Sequence, residues 1–267
     1  MLFLLPPSET KRDGGLGNAL DLKALSFASL TDVRCEVLDA LQALANDAGA
    51  AARVLKLGAK AAVAEMGRNR LVALSPTMPA LERYTGVLYD ALDVRGIDAE
   101  ARARASRHVM VHSALFGLIR ADDLVPAYRL SHDSRLSGPT LRARWSSANA
   151  AVLAGLDKSD PIEGPLIDLR SEGYAALGPL PLHPDAVCVR VVAVGGDGVT
   201  RAVNHFNKKG KGEFLRAVLQ AGPVPSTIDE LCHVSSALGW PLRRVAASGP
   251  SKPAELQLIV PGVLPRR

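Results

Sequence analysis

Four short polar segments in this chain carry residue types able to do chemistry. The first, Pro6-Pro7-Ser8-Glu9-Thr10-Lys11, directly follows the apolar run Met1-Leu2-Phe3-Leu4-Leu5, which reads as a strand. Ser8 and Glu9 can hold a loop through side-chain bonds to backbone, and Lys11 then projects at the strand's end, a common location for ligand contacts. The second segment runs from Ser113 to Leu130 and includes Arg120, Tyr128 and Arg129. The third is Asp168-Leu169-Arg170-Ser171-Glu172-Gly173-Tyr174. The fourth is Asn204-His205-Phe206-Asn207-Lys208-Lys209-Gly210-Lys211-Gly212-Glu213-Phe214. There a strand is expected to end in a Lys/Gly loop that opens a helix, where backbone N–H groups, helix dipole and ammonium groups all favour an anion.

Two kinds of chemistry fit these residues. Phosphate binding would use Arg120, Tyr128, Arg129, Ser171, Lys208, Lys209 and Lys211. Catalysis on a small anionic compound would use Lys11, since a desolvated lysine beside other cations becomes a nucleophile or base. Glu172 or Tyr174 would then shuttle a proton. Plainer roles stand beside these: Lys11 as a solvated turn residue, Arg120 as the partner of Asp122 or Asp123, Tyr128 as a core residue with a satisfied hydroxyl.

Standard signatures are absent. The chain has no G-x-S-x-G elbow, Walker A loop or G-x-G-x-x-G turn, which disfavours hydrolase, kinase and dehydrogenase chemistry. His108 and His112 are four apart, but Val109-Met110-Val111 between them reads as strand and no third ligand is nearby. Cys35, Cys188 and Cys232 are scattered and form no C-x-x-C pair, which argues against a disulfide framework and a zinc site. No metal and no cofactor are expected. Direct iron binding is disfavoured on the same grounds.

The net charge of the 267-residue chain is only +5, but its distribution is uneven. Eight arginines face three aspartates between Ala101 and Trp145, and five basic residues face one glutamate between Arg201 and Arg216. These stretches carry +5 and +4, leaving −4 for everything else. Clustered positive charge suits a phosphate-bearing partner, and the surplus is expected to assemble into one cleft. Aromatics make up 4% of the chain, so contact with a nucleic acid is expected at phosphates and not through stacked bases.

The elements that must position these residues are legible in outline. Thr31 can cap a helix in which Val33, Val37, Leu38, Leu41 and Leu44 recur at helical spacing. A helical pair, Ala50–Leu57 and Ala59–Met66, is split at Gly58. Ala80 to Leu92 reads as one helix, and Asp98 caps an Arg-rich helix, Ala99–His108. Further helices are read at Pro139–Leu156, Phe214–Ala221 and Thr227–Cys232. Strands are read at Val109–His112, Leu166–Leu169, Val187–Val194 and Val199–Phe206, the last two joined by the turn Gly195-Gly196-Asp197-Gly198. Trp240–Ala247 and Leu256–Val260 pair near the end. Hairpins mixed with helices, without a regular βαβ repeat, predict an α+β or mixed α/β protein and remove TIM-barrel and Rossmann readings. One domain over residues 1–267 is expected. The N-terminal apolar run is too short for a signal peptide, and no apolar run approaches the roughly 20 residues that span a bilayer. A cytoplasmic protein without membrane contact is therefore expected.

In this order the four segments resemble the YaaA peroxide-stress protein family. The matching pieces are a first-strand P-P-S-E-x-K, an S-x-L-F-G-x-I-R-x-x-D-L-x-x-x-Y-R-L block, a D-L-x-S-x-x-Y block and a K-K-x-K-G block, spanning Leu2 to about Val218. The resemblance implies a compact single-domain fold, sometimes called the cantaloupe fold, with a positive cleft and a helix-hairpin-helix element. It also implies a role in limiting damage from peroxide and iron, and DNA binding. Residues 50–67 occupy the place of the hairpin, where Lys56 and Lys60 would offer charge to phosphates. Only Gly58 stands where the element usually has two glycines. DNA is thus the expected partner, by backbone readout, with an enzyme acting on a nucleotide, nucleobase or other small anionic substrate as the alternative.

Overall fold

Leu2, Phe3, Leu4 and Leu5 are all buried, as in a strand covered on both faces, and they form β1 (Leu2–Leu5) at the centre of the sheet. The structure, a computed structural model, describes residues 1–159, 164–194, 200–202, 206–245, 249 and 253–260. After β1 come helices α1 (Thr31–Leu44), α2 (Ala48–Val54) and α3 (Ala59–Arg70), the short strand β2 (Met78–Pro79), and α4 (Ala80–Arg83), α5 (Val87–Leu92) and α6 (Ala99–His108). Strands β3 (Val109–Ser113), β4 (Gly117–Arg120) and β5 (Leu124–Val125) follow, then α7 (Leu141–Ser159), β6 (Leu166–Asp168), α8 (Glu172–Ala175), β7 (Ala186–Val194) and β8 (Thr200–Ala202). The chain closes with α9 (Asn207–Gln220), α10 (Ile228–Ala237), β9 (Leu242–Val245) and β10 (Ala254–Val260).

The main sheet has the order β4-β3-β1-β6-β7-β10-β9, with β8 also paired to β7. Neighbours among β3, β1, β6, β7 and β10 run parallel, and β4, β8 and β9 are antiparallel additions. The mixed α/β class is therefore as expected. Its parallel centre was not legible, because β1 and β6 are too short to show a crossover pattern.

Strand β10 covers one edge of β7 from Val187 to Ala193. On the other edge β6 pairs only with Ala186, Val187 and Cys188, and β8 only with Val192, Ala193 and Val194. Among the described residues, no strand pairs with Val189 to Val191 on that edge.

Several local expectations hold. Asp98 caps α6, its Oδ1 accepting from the Ala101 N–H at 2.7 Å, and β9 and β10 form an antiparallel pair. The turn at Gly195–Gly198, together with Asn204 and His205, lies outside the described residues. Others change. Thr31 is the first residue of α1 and caps nothing, because a 3-10 turn at Ala28–Leu30 feeds directly into the helix. The helix read over Ala80–Leu92 breaks between Arg83 and Val87, where Gly86 adopts φ 95°. A side chain at Gly86 would press on Ser8 Oγ and Thr10 Oγ1, both 3.1 Å from a Cβ, so the break makes room for the loop after β1. The Lys/Gly loop does not exist as a loop: Lys208 to Gly212 are the first turns of α9. Glycine in a helix costs about 1 kcal/mol relative to alanine. Here it is required at Gly212, where a Cβ would lie 2.2 Å from the Leu88 carbonyl oxygen of α5.

Two arginines are wholly enclosed. Arg34 donates to the carbonyls of Phe116, Ser26 and Leu118. Arg83 donates to those of Val125, Arg12 and Pro76. Each ties loops to the sheet, and their charges are unavailable to a ligand.

Candidate functional site

In an open parallel sheet, a crevice forms at the carboxyl ends of neighbouring strands whose connections depart in opposite directions. Here β1 leads to β3 on one side and β6 leads to β7 on the other, so the crevice opens between β1 and β6. A cleft of about 880 Å³ lies at that point. Its walls are Pro6 to Glu9 after β1, Asp168 to Ala175 after β6, Val87 to Tyr89 of α5, and Ser131 with His132. Its floor is Cys188 to Val191 of β7, and Asn207, Lys208 and Lys211 close it from α9.

Lys211 is buried, with 5% of its surface exposed, yet lines the cleft. Its Nζ donates to the carbonyls of Leu169 at 3.0 Å and Arg170 at 3.4 Å. Burial lowers its pKa to about 8, against the opposing pull of Asp168. The Asp168 carboxylate is already engaged. Its Oδ1 accepts from the backbone N–H and Nε of Arg170, and its Oδ2 accepts from Nη2 at 2.7 Å. The remaining Arg170 nitrogen, Nη1, stands 2.5 Å from His112 Nδ1. Burial, and then the Arg170 charge, hold the His112 pKa well below its usual value.

Behind the β1 side of the cleft lies a second buried cation. Lys11 Nζ donates to the Ser8 carbonyl at 2.9 Å and stands 4.0 Å from the centre of the Tyr128 ring. Burial lowers its pKa to about 7, and the Arg129 charge adds to the effect. The Tyr128 hydroxyl lies 3.0 Å from that of Tyr84 and 2.7 Å from Ser113 Oγ, which in turn accepts the N–H groups of Leu115 and Phe116. Burial raises the pKa of Tyr84 to about 12 and pushes Tyr128 and Tyr174 up as well. All three hydroxyls stay protonated at neutral pH.

The residues singled out from sequence divide by position. Ser171, Glu172, Tyr174, Lys208 and Lys211 line the cleft. Arg129 stands at its edge in an ion pair with Glu9, Nη2 to Oε2 at 2.5 Å. Lys11 and Tyr128 sit behind the lining, and Tyr128 is the core residue with a satisfied hydroxyl. Lys209 is exposed on α9, 3.6 Å from Glu213. Lys60 is exposed on α3. Lys56 adopts φ 54° between α2 and α3 and pairs with Asp133, next to the cleft residue His132. Arg120 is elsewhere: it pairs with Met110 at the amino end of β3, opposite the cleft, with its guanidinium 5.7 Å from the Phe27 ring centre. His108 and His112 do not face one site, since His108 Nδ1 bonds the Met1 carbonyl oxygen.

Several of the basic residues counted in the charge pattern meet acidic partners elsewhere. Arg102 pairs with Asp122, Arg144 with Glu36 and Arg216 with Asp93, all away from the cleft lining. Among the described residues, lining cations Arg170, Arg190, Lys208 and Lys211 are matched in number by Glu9, Asp168, Glu172 and Glu255. Among the described residues, no three His, Cys, Asp or Glu side chains gather as a metal site, and no helix is long and apolar enough to cross a membrane. Sequence reading missed His132, Asn207, Cys188 and the Arg190–Glu255 pair. Of these, Asn207 stands inside the fourth polar segment, and His132 stands beside Ser131 and Asp133 in what reads as a turn.

Comparison with known proteins gives a consistent result over most of the chain. A family model described as peroxide stress protein YaaA matches residues 1–242. A UPF0246 protein of Corynebacterium efficiens is 43% identical over 244 residues, covering 90% of this chain and 93% of its own. One from Streptomyces coelicolor is 37% identical over 265 residues, covering 97% of this chain and 98% of its own.

Proposed function

This chain belongs to the peroxide stress protein YaaA family, and from that premise we propose that its cleft holds one phosphate-bearing unit of nucleotide size during the peroxide-stress response. The family assignment supports the stress role. The observation that carries the ligand class is the placement of Lys208, Lys211 and the first turn of α9 on a cleft at the switch point of the sheet. Unpaired N–H groups at a helix start and nearby ammonium groups both favour a phosphate. The balance of lining charges argues against a purely electrostatic groove and for an enclosed ligand with polar contacts on several sides.

A second reading, in which that unit is part of DNA, is favoured by the rim. Exposed Lys208 and Lys209 on α9 and exposed Lys56 and Lys60 around Gly58 present cations without burying them. They would meet strand phosphates while the cleft admits one extruded or damaged residue.

Binding of duplex, single-stranded, bubble and abasic DNA and of mononucleotides at two salt concentrations separates the two. For the DNA form, replacing Lys208 and Lys209 by alanine weakens binding and flattens its salt dependence by about two phosphate contacts. For the free form, mononucleotide binding survives that change with little salt dependence. No binding to any member of the panel refutes both readings.

A further inference from the structure

Lys211 is placed unlike any other lysine of the cleft. It is buried, it faces the cavity, and no carboxylate among the described residues stands within ion-pair distance of it. The nearest candidate, Asp168, has both oxygens engaged by Arg170. Two carbonyl oxygens, of Leu169 and Arg170, accept its N–H groups. Two protein acceptors leave one position on the nitrogen without a protein partner among the described residues, the third hydrogen of an ammonium or the lone pair of a neutral amine. Lys11 is also buried but is covered by the Tyr128 ring and does not reach the lining.

A second observation lies one helical turn away. Asn207 precedes Lys211 by four residues and so shares its face of α9. Its Oδ1 is buried and accepts no hydrogen bond among the described residues. A buried acceptor without a donor costs about 1–3 kcal/mol. A ligand hydroxyl would supply the missing donor, and Lys208 beside it would meet a phosphate.

We propose that Lys211 is an amine nucleophile that captures the carbonyl carbon of a hydroxylated sugar phosphate in the cleft. The inference rests on the reading of the cleft as a phosphate-ligand site. The Lys211 nitrogen bonds to the carbonyl carbon, and the carbonyl oxygen takes up the proton that nitrogen releases, giving a carbinolamine. A further proton from solvent lets that hydroxyl leave as water, and the product is a protonated imine. Nothing is oxidised or reduced. With a pKa of about 8, roughly half of Lys211 is neutral at pH 8, against about one part in 300 for an ordinary lysine.

The test incubates the full chain with 2-deoxyribose 5-phosphate and sodium cyanoborohydride, which reduces the imine to a stable secondary amine. Peptide mapping by mass spectrometry then locates the adduct. A duplex bearing one abasic site, whose ring-opened sugar presents the same aldehyde, forms the second arm. The expected result is labelling of Lys211 at least tenfold above any other lysine. Labelling should be lost in Lys211→Arg and unchanged in the exposed Lys23→Arg. Labelling of the free sugar phosphate alone assigns a small-molecule source, and labelling of the abasic duplex alone assigns DNA. Label spread over surface lysines, or retained in Lys211→Arg, overturns the assignment. Should Lys211→Arg fail to fold, the wild-type peptide map decides by itself. Calorimetric binding of the sugar phosphate without any adduct overturns the nucleophile and leaves the cleft reading standing. Absence of binding in both arms removes both.

Discussion

Replacing Lys11 by methionine should change the pH dependence of stability in a defined direction. Lys11 is 8% exposed and holds a pKa near 7 because burial disfavours its charged form. In the unfolded chain it returns to about 10.5. Between those values the unfolded state binds a proton that the folded state does not, so wild-type stability rises with pH, approaching about 1.4 kcal/mol per unit. Methionine titrates nowhere and keeps the stem packed against Tyr84 and Tyr128. The stability of wild type minus that of Lys11→Met should therefore increase by about 2 kcal/mol from pH 7.5 to 9.5. The Tyr84 hydroxyl, held near pKa 12, stays protonated in the fold across this window. Its unfolded-state titration is common to both proteins and cancels in the difference. Urea denaturation at constant ionic strength at pH 7.5, 8.5 and 9.5 measures the effect. A difference that stays flat within 0.5 kcal/mol, a tolerance of about a third of one pH unit's worth, would show that Lys11 titrates normally and is not enclosed as described.

Three other substitutions probe the frame. Gly212→Ala places a Cβ 2.2 Å from the Leu88 carbonyl oxygen and 2.9 Å from Ala91 Cβ, so overpacking should outweigh the helix-propensity gain and cost about 2 kcal/mol in thermal or chemical unfolding. Arg34→Met strips donors from the carbonyls of Ser26, Phe116 and Leu118; a loss of about 3–5 kcal/mol by urea titration is expected. Lys56→Gly removes a solvent-exposed ion pair with Asp133 but relaxes a residue at φ 54°, so stability should hold or rise by up to about 1 kcal/mol, and a larger loss would contradict the exposed geometry.

What could be read from sequence was local, and what could not depended on distant partners. The apolar run at Leu2–Leu5, the Asp98 cap and the β9–β10 pairing each declare themselves within a few residues. The four polar segments also brought most of the cleft lining into view, because three of them follow directly on strands or open a helix. Gly210 and Gly212 misled in a specific way. Glycine reads as loop, but Gly212 is needed because the Leu88 backbone of α5 touches α9 at that position. Net charge along the chain leaves pairing unread in the same way. Arg102, Arg144 and Arg216 cluster along the chain, yet each meets an acidic partner that only the tertiary fold brings near. The burial of Lys11 between Tyr84 and Tyr128, and of Lys211 over Leu169, comes from loops closing on strand ends. Nothing in the residues adjacent to either lysine announces it.

The central claim is that the crevice between β1 and β6 is where this stress protein takes its ligand. A crystal structure of the full chain soaked with 2-deoxyribose 5-phosphate tests it most directly. The account predicts the sugar phosphate inside the cleft, its phosphate by Lys208 at the start of α9 and a hydroxyl on Asn207 Oδ1. A sugar phosphate bound only outside the cleft, for example along the exposed face around Lys56 and Lys60, or no bound ligand with the cleft open to solvent, would contradict it.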